Sequence, residues 1–439
     1  MATVHDEVSA SVKNAGLPAG LGLPKTKKRV LARRGVLWLG QTCNLRCYFC
    51  YFYDRIADAK HPEHAFMGLD KAKAICHTLR CFYRDTAIDI QGGEPTIYPD
   101  ILELIRYCHD IGLYPTLITN GLYLSKPGRL EAFRDAGLRD FLVSLHGLGD
   151  THDQVVGRKG AYQEITKSIE RMRQVGIPFR FNCTMSEPVV PLLAEIARKA
   201  IDYGAYVVNY IAFNPFGDQE TGHRTARNVP RYAVIKVKLT EAIDILEAAG
   251  IEANVRYLPL CIAEPRHRKS FYNFQQLPYD THEWNFNSWL WTMLGPQMGR
   301  PDVPIGPTVR IGWGASRVYR PTSDWSRRIF TPGKPAWTRV VYELQHLAAR
   351  LNVALCGRDA VYRHEAQLRA RHDCCYRYHA ACGQCAVKNI CDGFHGDYAA
   401  FFQTDEARPI TDVPPTEDPL LFVREQEKFV EREDEAWAL

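Results

Sequence analysis

The chain has 439 residues, 46% of them hydrophobic and 24% charged, with 55 basic and 50 acidic side chains for a net charge of +5. That length allows two or three domains, and the composition excludes a disordered or collagen-like chain. The charge bias is too mild to point to nucleic acid, no apolar run approaches the ~18 residues of a membrane span, and the N-terminus lacks secretory-signal order, so a soluble cytoplasmic protein is expected.

Residues 1–34 read as an arm with Gly/Pro punctuation and a basic stretch from Lys25 to Arg34. From residue 35 a rhythm begins in which a strand-length apolar run is followed by a turn and a helical pattern. The predicted strands are 36–40, 87–91, 115–119, 140–145, 178–184 and 207–213. Helices are predicted near 70–83, 100–111, 128–136, 161–175, 192–203 and 231–249, with apolar spacing such as Ile101, Leu104, Ile105 and Cys108. Strand–helix alternation over 35–250 predicts an α/β fold whose parallel sheet curls into a partial (β/α)6 TIM-like barrel. In such sheets ligands bind at the C-terminal strand ends.

The rhythm stops after residue 250. Residues 251–350 read as an irregular bridging region that covers the barrel mouth, with a helix near 338–351. A small Cys-rich extension follows at 351–404, and an acidic tail at 405–439 reads as a surface helix or frayed end.

The 14 cysteines are the informative excess, since clustered cysteines in a cytosolic chain more often bind metal than form disulfides. Cys43, Cys47 and Cys50 sit directly after the first predicted strand. Chance supplies only about 0.014 matches to a fixed three-cysteine spacing in such a chain. Three thiolates leave one metal of a four-iron cluster open, where a fourth would close it. A structural zinc knuckle or buried free thiols are the bland alternatives; a knuckle would need a second Cys pair close by, and none follows.

This loop, with the aromatic Phe49 before its third cysteine, resembles the signature of the radical SAM superfamily over residues 35–250. The resemblance implies a [4Fe–4S] cluster on Cys43, Cys47 and Cys50 whose open iron binds S-adenosylmethionine. One electron would then release a 5′-deoxyadenosyl radical that takes a hydrogen atom from substrate. Further segments fall at strand ends where that family needs them. Gln91-Gly92-Gly93-Glu94-Pro95 ends the second strand, and there the resemblance implies contacts to the amino group of the methionine moiety. Its glycines would let backbone approach a ligand closely. Asn120, in the turn Thr119-Asn120-Gly121, ends the third strand. Ser144 and His146 end the fourth, and Asn182 lies on the fifth. These are the remaining cofactor candidates.

A second cluster runs Cys374-Cys375-x6-Cys382-x2-Cys385-x5-Cys391-x3-His395. Its core resembles the SPASM or twitch auxiliary-cluster extensions of many radical SAM enzymes, although His395 stands in a slot where the fuller pattern has cysteine. The resemblance implies one auxiliary [4Fe–4S] cluster on Cys382, Cys385 and Cys391. Cys375 is the expected fourth ligand; Cys374, Cys261 and His395 are alternatives, and zinc is the alternative metal. Cys76, Cys81, Cys108, Cys183 and Cys356 read as small core residues.

Arg256, Tyr257, Asp280, His282 and Glu283 are substrate-side candidates among aromatics that suit a polar ligand. No HExxH, P-loop or GxSxG motif competes for the chemistry. The expected substrate is a small polar metabolite, such as a sugar or an aminoglycoside-like natural product. Peptide modification is the alternative, and a non-catalytic zinc scaffold a more remote one. A small electron donor such as flavodoxin or ferredoxin is the expected partner, with neither nucleic acid nor membrane.

Overall fold

The computed structural model describes residues 23–29, 31–61, 64–81, 85–213, 224–283 and 375–435, with residues 347, 351 and 354–356. The strands are β1 (Lys25–Thr26), β2 (Ala32–Trp38), β3 (Ala87–Gln91), β4 (Tyr114–Thr119), β5 (Asp140–Ser144), β6 (Phe179–Met185), β7 (Val207–Ala212), β8 (Glu252–Arg256), β9 (Phe271–Tyr272), β10 (Thr281–Glu283) and β11 (Lys428–Phe429). The helices are α1 (Tyr53–Ala57), α2 (Leu69–Cys81), α3 (Ile101–Asp110), α4 (Arg129–Asp135), α5 (Gly149–Val156), α6 (Ala161–Val175), α7 (Leu193–Tyr203), α8 (Tyr232–Ala248) and α9 (Gly396–Phe402). Most of the expected helix near 338–351, and Cys374, lie outside the described residues.

Among the described residues one parallel sheet runs β10-β2-β3-β4-β5-β6-β7-β8-β9. It contains all six predicted strands. β8, β9 and β10 extend it beyond residue 250, where no apolar period marks them, because they are short and Glu252, Asn254 and Arg256 alternate with apolar residues. The two sheet edges, β9 and β10, are consecutive in sequence. The eight residues between them reach at most about 30 Å, so the sheet must curl until its edges approach. This is the partial TIM-like barrel.

Helices α2 to α8 cover the outside of the barrel. Ile101, Leu104, Ile105 and Cys108 of α3 are all buried, as three- and four-residue spacing requires. On each inner strand one set of side chains enters this layer, such as Phe181, Cys183 and Met185 of β6, while the alternate set faces the lumen. Cys76, Cys108 and Cys183 are buried as expected, but Cys81, at the last residue of α2, and Cys356 are exposed.

The N-terminal half of the lumen is ionic. Arg34 pairs with Asp89 at 2.8 Å. Arg180 pairs with Asp140 at 2.6 Å, and the Tyr206 hydroxyl donates to the same carboxylate at 2.6 Å. Buried charges persist only when paired, and the chain's own end completes these sets. Glu431 and Glu433 lie within 4 Å of Arg139, and Lys428 reaches Asp280 at 2.8 Å and Glu252 at 3.3 Å. Over residues 405–435 the acidic tail is therefore neither a surface helix nor frayed. β11 pairs with β1, inside the expected basic arm, and the buried Gln426, Lys428 and Asp434 seal the lower end of the barrel. Its charges looked solvent-directed in sequence because their partners lie far upstream.

Candidate radical SAM active site

The site is built at the C-terminal strand ends. The loop after β2 carries Cys43, Cys47 and Cys50. Two backbone amides hold it, Arg46 N and Tyr48 N, which donate to the Val156 and Val155 carbonyls at 3.1 and 3.2 Å. These are last-turn carbonyls of α5, which lack partners within the helix. Gly157 ends that helix at φ +70°, and a Cβ there would fall 2.6 Å from the Arg46 carbonyl oxygen, so only glycine fits.

The glycines after β3 line the cavity and also meet the neighbouring backbone. A Cβ on Gly92 would lie 2.4 Å from the Gly40 oxygen, and one on Gly93 would lie 1.9 Å from the Thr42 oxygen. What they admit is the backbone of the cysteine loop itself. Glu94 N then donates to Thr42 O at 2.8 Å and Gly93 N to the Gln41 side chain at 3.3 Å.

Together these segments line an open cavity of about 770 Å³ with solvent at its mouth included. Its walls include Cys43, Cys47, Cys50, Phe49, Gly92, Gly93, Glu94, Asn120, Ser144 and His146. Asn182 is not among the lining residues, but the register places it beside Ser144, and beyond it Asn209 and Asn254, in one polar layer of the lumen. Its Oδ1 is buried with no described donor.

Glu94 is fully buried and its carboxylate is tethered. Oε1 accepts from Thr96 N, Thr96 Oγ1 and Thr119 Oγ1, and Oε2 accepts from Asn120 N at 2.8 Å. Burial raises its pKa and these donors oppose the rise. The tether fixes the ends of β3 and β4 against each other and leaves Oε2 one lone pair for a cationic ligand group. Asn120 donates its amide to Asn44 at 2.7 Å, which joins it to the cysteine loop.

His146 is buried. Its Nδ1 accepts from Thr184 N at 3.0 Å, which places the proton on Nε2, and its ring meets Phe49 edge-on at 4.5 Å. Burial, assisted by His152, pushes its pKa down to about 3, so it is a neutral donor at physiological pH.

Burial, then Glu94, pushes the Cys43 thiol up to about 12. Cys47 is raised well above its ordinary value by burial, then by Cys50 and Cys43. The three cysteines line one cavity, and thiolates there need a cationic centre to hold them. Among the described residues no three His, Cys, Asp or Glu side chains converge as one metal ion requires. The donor set thus fits a wider cluster with an amino-acid cofactor bound between the thiols and Glu94. Gln41 and Trp38 also line this cavity and escaped sequence reading, since neither belongs to a cysteine or glycine motif.

The distal cysteines assemble against the barrel. Cys382 and Cys385 raise the Cys261 thiol, after burial itself, and Cys261 in turn raises the buried Cys391. Amides surround the sulfurs: Ile410 N donates to Cys385 at 3.4 Å, Gly393 N to Cys391 at 3.4 Å, and the Arg408 amide to Cys261. Cys375 is exposed at φ +48°, whereas Cys261, one of the alternatives to it, lies with Cys382, Cys385 and Cys391. His395 caps α9 through its Nδ1. Cys261 follows β8, the strand that sequence reading missed, and so carried no strand-end signal.

Of the substrate-side candidates, Asp280 is held by Lys428 and lies 4.0 Å from Arg256, so both serve the lower seal. Tyr257 adopts φ +69° and packs on Phe274 at 5.2 Å. The side chains of His282 and Glu283 lie outside the described residues.

Residues 39–192 match the family model described as the Radical SAM superfamily. An AdoMet-dependent heme synthase of Methanosarcina barkeri is 31% identical over 188 residues, 42% of this chain and 52% of that protein. A PqqA peptide cyclase of Ruegeria pomeroyi is 35% identical over 119 residues, 27% of this chain and 32% of that protein. The chain thus spans about half or less of the length of these curated relatives. The crystal structure of Streptococcus suis SuiB bound to S-adenosylmethionine superposes with a TM-score of 0.51 at 15% identity, covering 87% of this chain and 77% of that one; this likeness concerns the fold alone. No described helix is long and apolar enough to cross a membrane. Cysteine loop, tethered glutamate and matching segment coincide on the same strand ends, and residues 39–192 are a radical SAM domain.

Proposed function

We propose that this enzyme cleaves S-adenosylmethionine reductively and uses the product radical on a small polar molecule. The convergence of Cys43, Cys47 and Cys50 with Glu94 and His146 on one cavity carries this reading. A cluster held by Cys43, Cys47 and Cys50 would supply the electron for reductive cleavage of S-adenosylmethionine. The chain's own residues hold and orient. The three thiolates anchor the cluster, and Glu94 Oε2 receives the cofactor's ammonium. Ser144, Asn182 and the Nε2–H of His146 offer hydrogen bonds to its ribose and carboxylate, and Phe49 excludes water beside the loop. Cys261, Cys382, Cys385 and Cys391 hold one auxiliary [4Fe–4S] cluster. Amide donors to the sulfurs are a feature that tunes such clusters. A small iron–sulfur or flavin protein serves as electron donor, and the enzyme works in the cytoplasm.

Peptide modification is a second reading, favoured by the relative named PqqA peptide cyclase.

Anaerobically reconstituted protein should contain about eight irons for two clusters and convert S-adenosylmethionine to 5′-deoxyadenosine. Cys47→Ala should remove about four irons and abolish that product. Unchanged 5′-deoxyadenosine, or a zinc protein without iron, would overturn the reading.

A further inference from the structure

The turn that carries the first cysteines reaches the surface at Arg46, the residue before Cys47, which is exposed. Its Nη1 donates to the Cys43 and Leu45 carbonyls at 2.9 and 2.8 Å, so the guanidinium is folded back over the loop. A positive charge therefore sits on the outside of a segment whose Cys43, Leu45 and Cys47 line the cofactor cavity.

Two neighbouring turns add to it. Gly157 packs on Arg46, where an added Cβ would lie 2.6 Å from the Arg46 oxygen and 3.4 Å from its Cβ. The next residues, Arg158 and Lys159, are exposed, and α6 begins two residues after Lys159. On the other flank Asn120 is tied to Asn44 of the cysteine loop at 2.7 Å, and Ser125 to Glu164, in the first turn of α6, at 3.1 Å. These bonds bring the turn 120–126 to the same face. Its Lys126 is exposed and lies 4.7 Å from the ring centre of Tyr123, which is 38% exposed.

Nearby carboxylates are engaged. Asp153 accepts from the amides of Gly160 and Tyr162, and Glu164 pairs with Lys167 at 3.3 Å. Asp150 stands in the first turn of α5, about 10 Å along the helix from Gly157. On the aromatic part of the loop, burial, then Glu187, raises the Tyr48 hydroxyl. The cations Arg46, Lys126, Arg158 and Lys159 thus form a patch bounded by Asp150 and Glu187.

Cleavage of the cofactor uses one electron. Electron tunnelling falls steeply with distance, so the donor must dock where the cysteine loop meets solvent. A donor with an acidic rim around its redox centre is attracted and oriented by such a basic face. Arginine and tyrosine are also the side chains that most often anchor protein interfaces.

We propose that the face of Arg46, Lys126, Arg158 and Lys159 docks the acidic face of a small one-electron carrier protein. The reduced carrier loses one electron, the cluster on Cys43, Cys47 and Cys50 gains it, and no atom is transferred. This rests on the radical SAM reading and gives its electron partner a place on the chain.

The test uses anaerobically reconstituted holoenzyme. Titanium(III) citrate first drives 5′-deoxyadenosine formation, and failure there counts against the functional reading instead. Binding of an acidic flavodoxin and of an acidic ferredoxin is then titrated by calorimetry at low and high salt. Arg158→Glu/Lys159→Glu should weaken at least one carrier about tenfold at low salt, and less at high salt. Its iron content and titanium-driven 5′-deoxyadenosine should stay unchanged. Arg198→Glu/Lys199→Glu makes the same charge change on the outer helix α7 and should leave binding unchanged. Equal weakening by both double variants, or none by the first, overturns the proposal. So does wild-type binding that is absent for both carriers or insensitive to salt. A hexaglutamate peptide that binds as tightly as the carriers marks a peptide-binding surface and overturns it as well. Should the first double variant lose iron, Lys126→Glu takes its place in the same comparison.

Discussion

Gly93→Ala tests whether the glycine pair exists for the cysteine loop. The added Cβ would lie 1.9 Å from the Thr42 carbonyl oxygen and 2.4 Å from its carbon, so the neighbour that must give is backbone. An ordinary contact needs roughly 3.4 Å, so Thr42, adjacent to Cys43, must retreat by about 1.5 Å. That retreat overpacks the loop at a cost of about 1–3 kcal/mol. It also breaks the 2.8 Å bond from Glu94 N to Thr42 O, worth about 1 kcal/mol. The side chain is further held at φ +25°, which adds about 1 kcal/mol. A total near 4 kcal/mol corresponds to a fall of roughly 4 °C in Tm for a chain of this length. Misplacing Cys43 and Glu94 together should also lower 5′-deoxyadenosine formation about 100-fold. Gly250→Ala is the control, because its φ is +72° with no atom within 4 Å of an added Cβ. It carries strain alone and should cost about 1 kcal/mol. Thermal unfolding, iron content and 5′-deoxyadenosine yield are measured on both. If Gly93→Ala loses no more stability than Gly250→Ala and keeps its iron and turnover, the loop contact is not what requires glycine.

Cys261→Ala should lower iron by about four atoms while Cys375→Ala leaves it unchanged; the reverse pattern would restore Cys375 as the fourth ligand. Stability should fall on acidification, because burial pushes His146 down to about 3 and His152 to about 4, below the ~6.5 of an unfolded histidine. The unfolded chain therefore takes up protons first. This contribution is complete above pH 6.5 and is lost as pH falls toward 3–4, about 3 kcal/mol for the pair by pH 5.5. Urea midpoints at pH 7.5 and 5.5 should show this loss, roughly halved in His152→Gln; an unchanged loss in the variant would refute the assignment. Lys428→Met leaves Asp280 and Glu252 buried without their cation and should cost about 3–5 kcal/mol. Adding Asp280→Asn should recover part of the urea midpoint, and no recovery would place the cost elsewhere.

The six strands from Trp38 to Ala212 and their helices were legible in sequence because each is long enough to show its own period. The cysteine loop and Glu94 were legible because their chemistry needs fixed spacing next to a strand end. β9 and β10 were not, since two or three residues carry no signal until they pair, and β8 was missed because Ala253 and Val255 are its only apolar residues. The tail's role was hidden for a related reason: an acidic run becomes a plug only when Arg139 and Lys428 are brought to one end of the lumen.

The sequence by itself determined the alternating parallel architecture and the placing of the first cysteine loop at a strand end, because local period and short-range spacing specify both. Tertiary structure alone decided that Cys261 joins the distal cysteines, that Gly92 and Gly93 accommodate backbone, and that Lys428 and Glu431 close the lower end of the barrel. Each of these depends on contacts between residues far apart in the chain, and only packing fixes which groups meet.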